Sequence, residues 1–335
     1  MKRTIFSFLF FTLSAFNLIQ AQNYMQVKGR FLYDACGEKV VLRGVNEMFI
    51  WSNDLDGIKT MPEIAETGAN VVRIVWLSDE DNVKGSPANL DAILINCIAH
   101  KMFPMPELHG ATGDFSKLQK QVDYWTRPEV VDVLKKHEAY LLVNIANEAG
   151  DKDVTQQQFR EQYQIAIRRI RETGLRSPLV IDASNWGQDI DILQSTGPSL
   201  LEADSLDNLL FSVHMWWPAS DGSRKRIKKE IKESVKMELP LIVGEFAPMA
   251  VKCAEYIDYK TIMKQCEKYD IGWMAWSWGL VDNSDCELMD MTSNQAKGRF
   301  SGLFDWGYEA AVNNKNSIKN TSKKTYYLNH MACPQ

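Results

Sequence analysis

Beyond residue 21 the chain has no apolar run long enough to cross a bilayer, so no membrane helix is expected in its body. It also lacks a long basic block. With a net charge of −5 and a pI near 5.7 it is mildly acidic, and no nucleic-acid partner is expected. Cysteines are few, six in all, and their spacing fits no zinc-ligand pattern. No metal and no cofactor is expected. There is no linker, no low-complexity tract and no sign of a second domain. What the chain does carry at its start is Met1-Lys2-Arg3, an apolar run from Ile5 to Ile19, then Gln20-Ala21. That is the order of a signal peptide, with cleavage expected after Ala21. The run is short for a membrane anchor, and no Cys follows it where a lipoprotein anchor needs one. A secreted or periplasmic protein with no membrane association after cleavage is therefore expected. Disulfides are permitted there, but sequence alone does not choose their pairing.

The mature segment, 22–335, is long for an ordinary domain and suits a single α/β barrel. Met25 to Tyr33 and the chain from Val40 read as two short strands around a turn at Asp34–Lys39, a small hairpin ahead of the main repeat. Val40–Val45 reads as the first barrel strand. Strand-like runs then recur at 68–75, 102–109, 139–144, 179–183, 209–214, 241–245 and 271–277, most followed by a helical stretch. The charged segment Arg224–Lys236 has Ile227, Ile231 and Val235 at helical spacing, so it reads as a solvated helix with one buried stripe. Eight alternating units predict a (β/α)8 TIM barrel with its active site at the C-terminal ends of the strands.

Two strand ends carry the chemistry. Leu141-Leu142-Val143-Asn144-Ile145-Ala146 runs into Asn147-Glu148, and Leu241-Ile242-Val243-Gly244 runs into Glu245. A carboxyl at the exit of a buried strand loses solvent, which favours its protonated form and suits a general acid. Taken singly, each Glu could equally cap a helix or pair with an Arg. Two such carboxyls facing one cleft are the minimum apparatus for glycoside hydrolysis. Arg73, Glu107, His109, Asn147, His214 and Trp276 are placed at or near other strand ends on the same rim. The ten tryptophans show the same bias: Trp51, Trp76, Trp186, Trp216, Trp217, Trp276 and Trp278 lie at or just after strand ends. Aromatic faces there suit pyranose rings, although about half are expected only to pack loops. Trp125 and Trp273 read as core.

These residues resemble glycoside hydrolase family five, and most closely its bacterial secreted β-mannanases. The pieces that carry the resemblance span nearly the whole mature chain. They include Arg43-Gly44-Val45, Val72-Arg73-Ile74-Val75, Glu107-Leu108-His109, Asn147-Glu148, Trp186-Gly187-Gln188, Ser212-Val213-His214-Met215, Gly244-Glu245-Phe246 and Ala275-Trp276-Ser277-Trp278. The resemblance implies a retaining enzyme with Glu148 as acid/base and Glu245 as nucleophile. Arg73 and His214 would hold and tune the nucleophile, Asn147 would bind the sugar 2-hydroxyl, and Trp276 would be the floor beside the scissile bond. His109 and Trp216 complete the expected substrate-binding set. The implied substrate is a polysaccharide, either mannan, glucomannan or β-glucan, and the expected state is a monomer. An endo-β-1,4-mannanase is the first reading. An endo-β-1,4-glucanase is the alternative, and a non-catalytic carbohydrate-binding barrel is a third.

Two departures stand out. The family usually has Tyr two residues after the sixth-strand His, where this chain has Trp216, whose indole N–H differs from a phenol in reach. Glu148 is followed by Ala149-Gly150, where an aromatic is common, so the leaving-group side is expected to be open. Retention implies carboxyl groups about 5–5.5 Å apart. Arg73 and His214 should keep Glu245 charged, while burial and Glu245 should raise Glu148. On a barrel, Cys36 and Cys333 fall at the N-terminal face, and Cys253 and Cys286 in neighbouring loops on the opposite face. Those are the expected disulfides, with Cys97 and Cys266 as buried thiols.

Overall fold

Strand and helix alternate around a closed barrel of eight strands. The computed structural model describes residues 24–78 and 85–334. The signal segment read at residues 1–21 lies outside the described residues. Three short antiparallel strands come first: β1 (Gln26–Lys28), β2 (Phe31–Tyr33) and β3 (Lys39–Val40). The barrel then runs through β4 (Arg43–Glu47), β5 (Val71–Trp76), β6 (Phe103–Leu108), β7 (Val143–Asn144), β8 (Leu179–Asp182), β9 (Leu209–His214), β10 (Leu241–Glu245) and β11 (Gly272–Ala275). All pair in parallel, and β11 closes onto β4.

The expected (β/α)8 barrel with a small leading sheet is what the chain forms, with boundaries corrected at its start and at the strand expected over 139–144, which is only Val143–Asn144. The hairpin turn falls at Gly29-Arg30, since Lys28 pairs with Phe31. Val40 pairs with Leu32 in the small sheet, so the first barrel strand starts at Arg43. The Asp34 carboxylate accepts from the backbone N–H groups of Cys36 and Glu38 at 3.0 and 2.9 Å, which makes 34–39 a second turn rather than the first.

Helices cover the outside: α1 (Thr60–Ala65), α2 (Pro87–Ala99), α3 (Leu118–Trp125), α4 (Pro128–Lys136), α5 (Gln156–Glu172), α6 (Ile190–Ala203), α7 (Ser223–Lys236) and α8 (Tyr259–Tyr269). In α5 the residues Phe159, Tyr163, Ala166, Ile167 and Ile170 recur at helical spacing and are buried, and Thr155 with Gln158 forms a capping box at its start. The sequence pattern did not reveal α6, because Gly197-Pro198 interrupts it.

The barrel interior is layered. Side chains alternate in and out along each strand. The lower inward positions are Leu42, Val71, Phe103, Leu142, Val180, Leu210, Ile242 and Met274. They form one cluster with Met25, Val27, Leu32 and Val40 of the leading segment and Leu328 near the C-terminus. Further up, the inward positions turn polar: Asn46, Arg73, Asn144, Asp182 and Ser212 have no exposed surface. That change of chemistry along the barrel axis positions the site.

Cys36–Cys333 and Cys253–Cys286 are disulfides, and Cys97 and Cys266 are buried thiols, all as expected. Among the described residues no helix is long and apolar enough to cross a membrane.

Candidate active site

The polar layer is centred on Arg73. It stands inside β5 rather than at its end, and the length of its side chain brings its guanidinium up to Glu245. Its Nη1 donates to Glu245 Oε1 at 2.7 Å and Asn46 Oδ1 at 3.0 Å. Nη2 donates to Asn147 Oδ1 at 2.7 Å and Asp182 Oδ2 at 3.0 Å, and Nε to Asn144 Oδ1 at 2.8 Å. A planar fork with every nitrogen engaged has one orientation, which fixes the carboxylate it holds. Burial alone would weaken this cation, but the surrounding acids Asp182, Glu107 and Glu245 hold its pKa above the ordinary value.

Glu245 reaches the centre through a bulge. Val243 pairs with Val213 and Glu245 with His214, so Gly244 is an extra residue in β10. A Cβ on Gly244 would lie 2.2 Å from Ser212 Oγ and 2.7 Å from His214 Nε2, so only glycine fits there. Glu148 sits in the left-handed region at φ 46°. Such a conformation persists where its surroundings over-determine it. Here the Glu148 carbonyl accepts from Gly113 N–H at 3.0 Å, and its own N–H donates to Asp182 Oδ2 at 3.2 Å.

His214 lies between the two carboxyls. Its Nδ1 is 2.7 Å from Glu148 Oε1 and 3.3 Å from Glu245 Oε2, and Nε2 is 3.4 Å from Asp182 Oδ2. One carboxyl oxygen from each Glu and a nitrogen of His214 lie within 4.8 Å of one another. Two neighbouring acids at that distance do not ionise together readily. Burial and then the charge of Glu245 raise the pKa of Glu148. Burial would raise Glu245 as well, but the charge and hydrogen bond of His214, with Arg73 and His109, outweigh it and hold Glu245 below its ordinary value. His214 is pushed well above its usual value: burial opposes its charge, but Glu245 and Asp182 overcome that. Asp182 is held at about 2, burial being outweighed by His214 and Arg73. The arrangement favours the proton on Glu148 and the charge on Glu245 and His214.

A cleft of 380 Å³ opens above this layer. Glu148, Glu245, His109, Trp216 and Trp276 line it, together with Thr112, Met48, Val251 and the segment 282–285. Arg73, Asn147 and His214 lie beneath the lining with no exposed surface. Asn147 donates from Nδ2 to Thr112 Oγ1 at 2.8 Å, and Thr112 itself lines the cleft. His109 Nδ1 lies 2.8 Å from Glu107 Oε1, which accepts from it, and the ring stacks on Trp276 at 5.9 Å between centroids. The tryptophans read at strand ends divide sharply. Trp76, Trp217 and Trp278 are core, Trp216 and Trp276 line the cleft, and Trp51 and Trp186 stand 49% and 44% exposed on the rim. Trp125 and Trp273 are fully buried, as expected.

Sequence reasoning missed Asp182, Asn46, Asn144 and Asn283. Asp182 had a signal: Leu179-Val180-Ile181-Asp182 is again an apolar strand ending in a carboxylate.

A family model described as Cellulase (glycosyl hydrolase family 5) matches residues 33–281. The chain is 32% identical over 300 residues to a mannan endo-1,4-beta-mannosidase of Salipaludibacillus agaradhaerens, covering 89% of this chain and 93% of that protein. It is 30% identical over 311 residues to a mannan endo-1,4-beta-mannosidase of Cellvibrio japonicus, covering 91% and 70%. Among solved structures, a mannohexaose complex of Thermomonospora fusca beta-mannanase superposes with a TM-score of 0.80 at 30% identity, covering 91% of this chain and 99% of that one.

Proposed function

The chain belongs to glycosyl hydrolase family 5, and we propose that it is an exported, monomeric endo-β-1,4-mannanase that cleaves with retention. The observation that carries the reading is the carboxyl pair: oxygens of Glu148 and Glu245 lie within 4.8 Å, with pKa values pushed in opposite directions. An inverting enzyme needs roughly 6.5–9.5 Å to admit a water between them. In this reading Glu245 attacks the anomeric carbon while Arg73 holds its other oxygen in place. Glu148 gives its proton to the departing glycosidic oxygen. Esterification removes the charge of Glu245, so the repulsion that raised Glu148 disappears. Glu148, now a carboxylate paired with His214, takes a proton from water as that water breaks the glycosyl-enzyme bond. Trp276 is the floor under the attacked sugar, His109 and Trp216 flank it, and Asn147 binds its 2-hydroxyl. Mannan as substrate rests on the relatives, whose names state that activity. Export rests on the opening segment and suits the two disulfides.

The product profile on linear mannan is the test, with anomeric NMR of the first product. Short β-mannooligosaccharides released with retained configuration are expected. Inverted product, or hydrolysis of carboxymethyl-cellulose with none of mannan, overturns the reading. The second outcome would leave the endo-β-1,4-glucanase reading, which fits the family description but is less supported by the relatives. Roles are tested with azide. Glu148→Ala should still form the glycosyl-enzyme from an activated aryl glycoside and be rescued to a retained azide product. If it cleaves polymeric mannan at the wild-type rate, Glu148 is not the acid.

A further inference from the structure

One wall of the cleft is not built from strand ends. It comes from the segment after β11, which contributes Asp282, Asn283, Ser284 and Asp285 to the lining. This segment is tied down from two directions. Glu47, at the end of β4, accepts from the backbone N–H of Leu280 at 2.9 Å. Cys286 is joined to Cys253 in the loop that follows β10. Between those ties lies a polar relay that ends on the floor of the cleft. The indole N–H of Trp276 donates to Asn283 Oδ1 at 2.8 Å. Asn283 Nδ2 donates to Ser277 Oγ at 2.9 Å and to Asp290 Oδ1. Asn283 also gives its backbone N–H to both oxygens of Asp290 at 3.3 Å. Asp290 is only 4% exposed.

These partners leave the Asn283 amide one orientation. Turned over, it would set its NH2 against the indole N–H and its oxygen against a carboxylate. An acceptor held that firmly fixes the indole at its polar edge, while His109 flanks the ring. A flat platform decides how high the sugar above it sits. Attack by Glu245 requires the anomeric carbon within about 3–3.5 Å, so a platform free to rock costs rate.

We propose that Asn283 is a positioning residue for the reaction: it sets the plane and depth of Trp276, and Asp290 and Ser277 set Asn283. The inference rests on the reading of Trp276 as the floor under the attacked sugar.

A double-mutant cycle tests it. Trp276→Phe keeps an aromatic face and removes the N–H; Asn283→Ala removes the acceptor. Each should lower kcat/KM on mannohexaose roughly three- to tenfold, chiefly through kcat. The double variant should be no worse than the poorer single, since both remove the same bond. Additive losses in a folded, active enzyme overturn the positioning role and leave the functional reading intact. A wild type that cleaves neither mannan nor glucan overturns the functional reading, and this inference falls with it. An exchange variant guards against misfolding of Asn283→Ala. In Asn283→Asp with Asp290→Asn, the new carboxylate accepts from the indole and the new amide donates to it. Activity should stay within about threefold of wild type, and a loss as large as that of Trp276→Phe counts against the relay. A last readout does not depend on turnover. Of the ten indole signals in a 15N spectrum, the one missing in Trp276→Phe belongs to Trp276. In Asn283→Ala, or in Asn283→Asp with Asp290 retained, that signal should shift and exchange faster with water. An unmoved signal overturns the inference.

Discussion

At the lower end of the barrel each strand contributes an apolar side chain, from Leu42 round to Met274, and the leading sheet closes over them with Met25, Val27, Leu32 and Val40. At the upper end the same strands contribute Asn46, Arg73, Asn144, Asp182, His214 and Glu245, all buried. The lower layer gains by leaving water and needs no partners. The upper layer loses hydration and recovers it only through mutual hydrogen bonds and opposed charges. The carboxyls are crowded to within 4.8 Å, so their protonation states are pushed apart. The difference teaches a division of labour along one set of strands: stability from the lower half, chemistry from the upper. That division can be broken by mutation in either half.

The largest effect is expected at the top. Glu245→Gln should lower turnover of mannan roughly 10⁴-fold or more, since an amide cannot form the glycosyl-enzyme that the proposed mechanism requires. Thermal unfolding should also show some loss of stability, because the buried Arg73 and His214 lose a charged partner. Glu148→Gln sharpens the point. Glu148 has its pKa raised by burial and by Glu245, so a neutral amide resembles its resting state. Turnover of mannan should collapse while the melting temperature stays near that of the wild type. A large loss of stability in Glu148→Gln would show that the upper layer holds the fold as well.

The lower end should give the reverse. Phe103 is fully buried in the apolar layer. Phe103→Ala should cost about 3–5 kcal/mol of stability, measured by denaturant unfolding, and leave kcat/KM at low temperature unchanged. Somewhat smaller is the loss of the Cys36–Cys333 bridge, which joins segments 297 residues apart. Its removal as a double serine variant should cost ~2–4 kcal/mol with no change in kcat or KM. The Cys253–Cys286 bridge closes only 33 residues but ties down a wall of the cleft. Its removal should show in KM. If both bridges affect only stability, the division between the two ends is less sharp than the layers suggest.

Much of this was legible before any coordinates. Glu148 and Glu245 could be read because an apolar run that stops at a carboxylate violates the ordinary pattern of a buried strand. The eight-fold repeat, the two bridges and the core assignment of Trp125 and Trp273 followed from position on such a barrel. Asp182 had the same strand-end pattern but was read only as strand. Asn46 and Asn144 are single amides inside strands, and their role appears only when Arg73 is folded over them. The bulge at Gly244 leaves no trace in hydrophobic periodicity, since one extra small residue does not disturb it. Asn283 lies in an irregular segment, where no period relates it to the indole it holds. The departure at Trp216 was visible, and it places an indole in the cleft lining. Glu245 is then held by Arg73 and His214 rather than by a phenol at that position.

The smallest effect is a displacement of the pH profile, and it tests whether the upper layer works as a charge balance. Activity needs Glu245 ionised and Glu148 protonated, so Glu245 governs the acid limb and Glu148 the alkaline limb, each value belonging to the coupled pair. Both carboxyls are held down by the charge of His214 and, less strongly, by that of His109. Removing either positive charge lets both pKa values rise. The acid limb then moves to higher pH because Glu245 ionises later. The alkaline limb moves the same way because Glu148 keeps its proton longer. His214→Asn should therefore carry the whole bell toward alkaline pH. His109→Asn should do so by less, because His109 is the more distant charge and pairs first with Glu107 at 2.8 Å. Profiles of kcat/KM on mannohexaose measure both limbs at once. A shift of one limb alone would mean that His214 serves only the carboxyl it touches at 2.7 Å, Glu148. A bell that does not move would mean that His214 is neutral in the free enzyme, and the upper layer would then lose one of its cations.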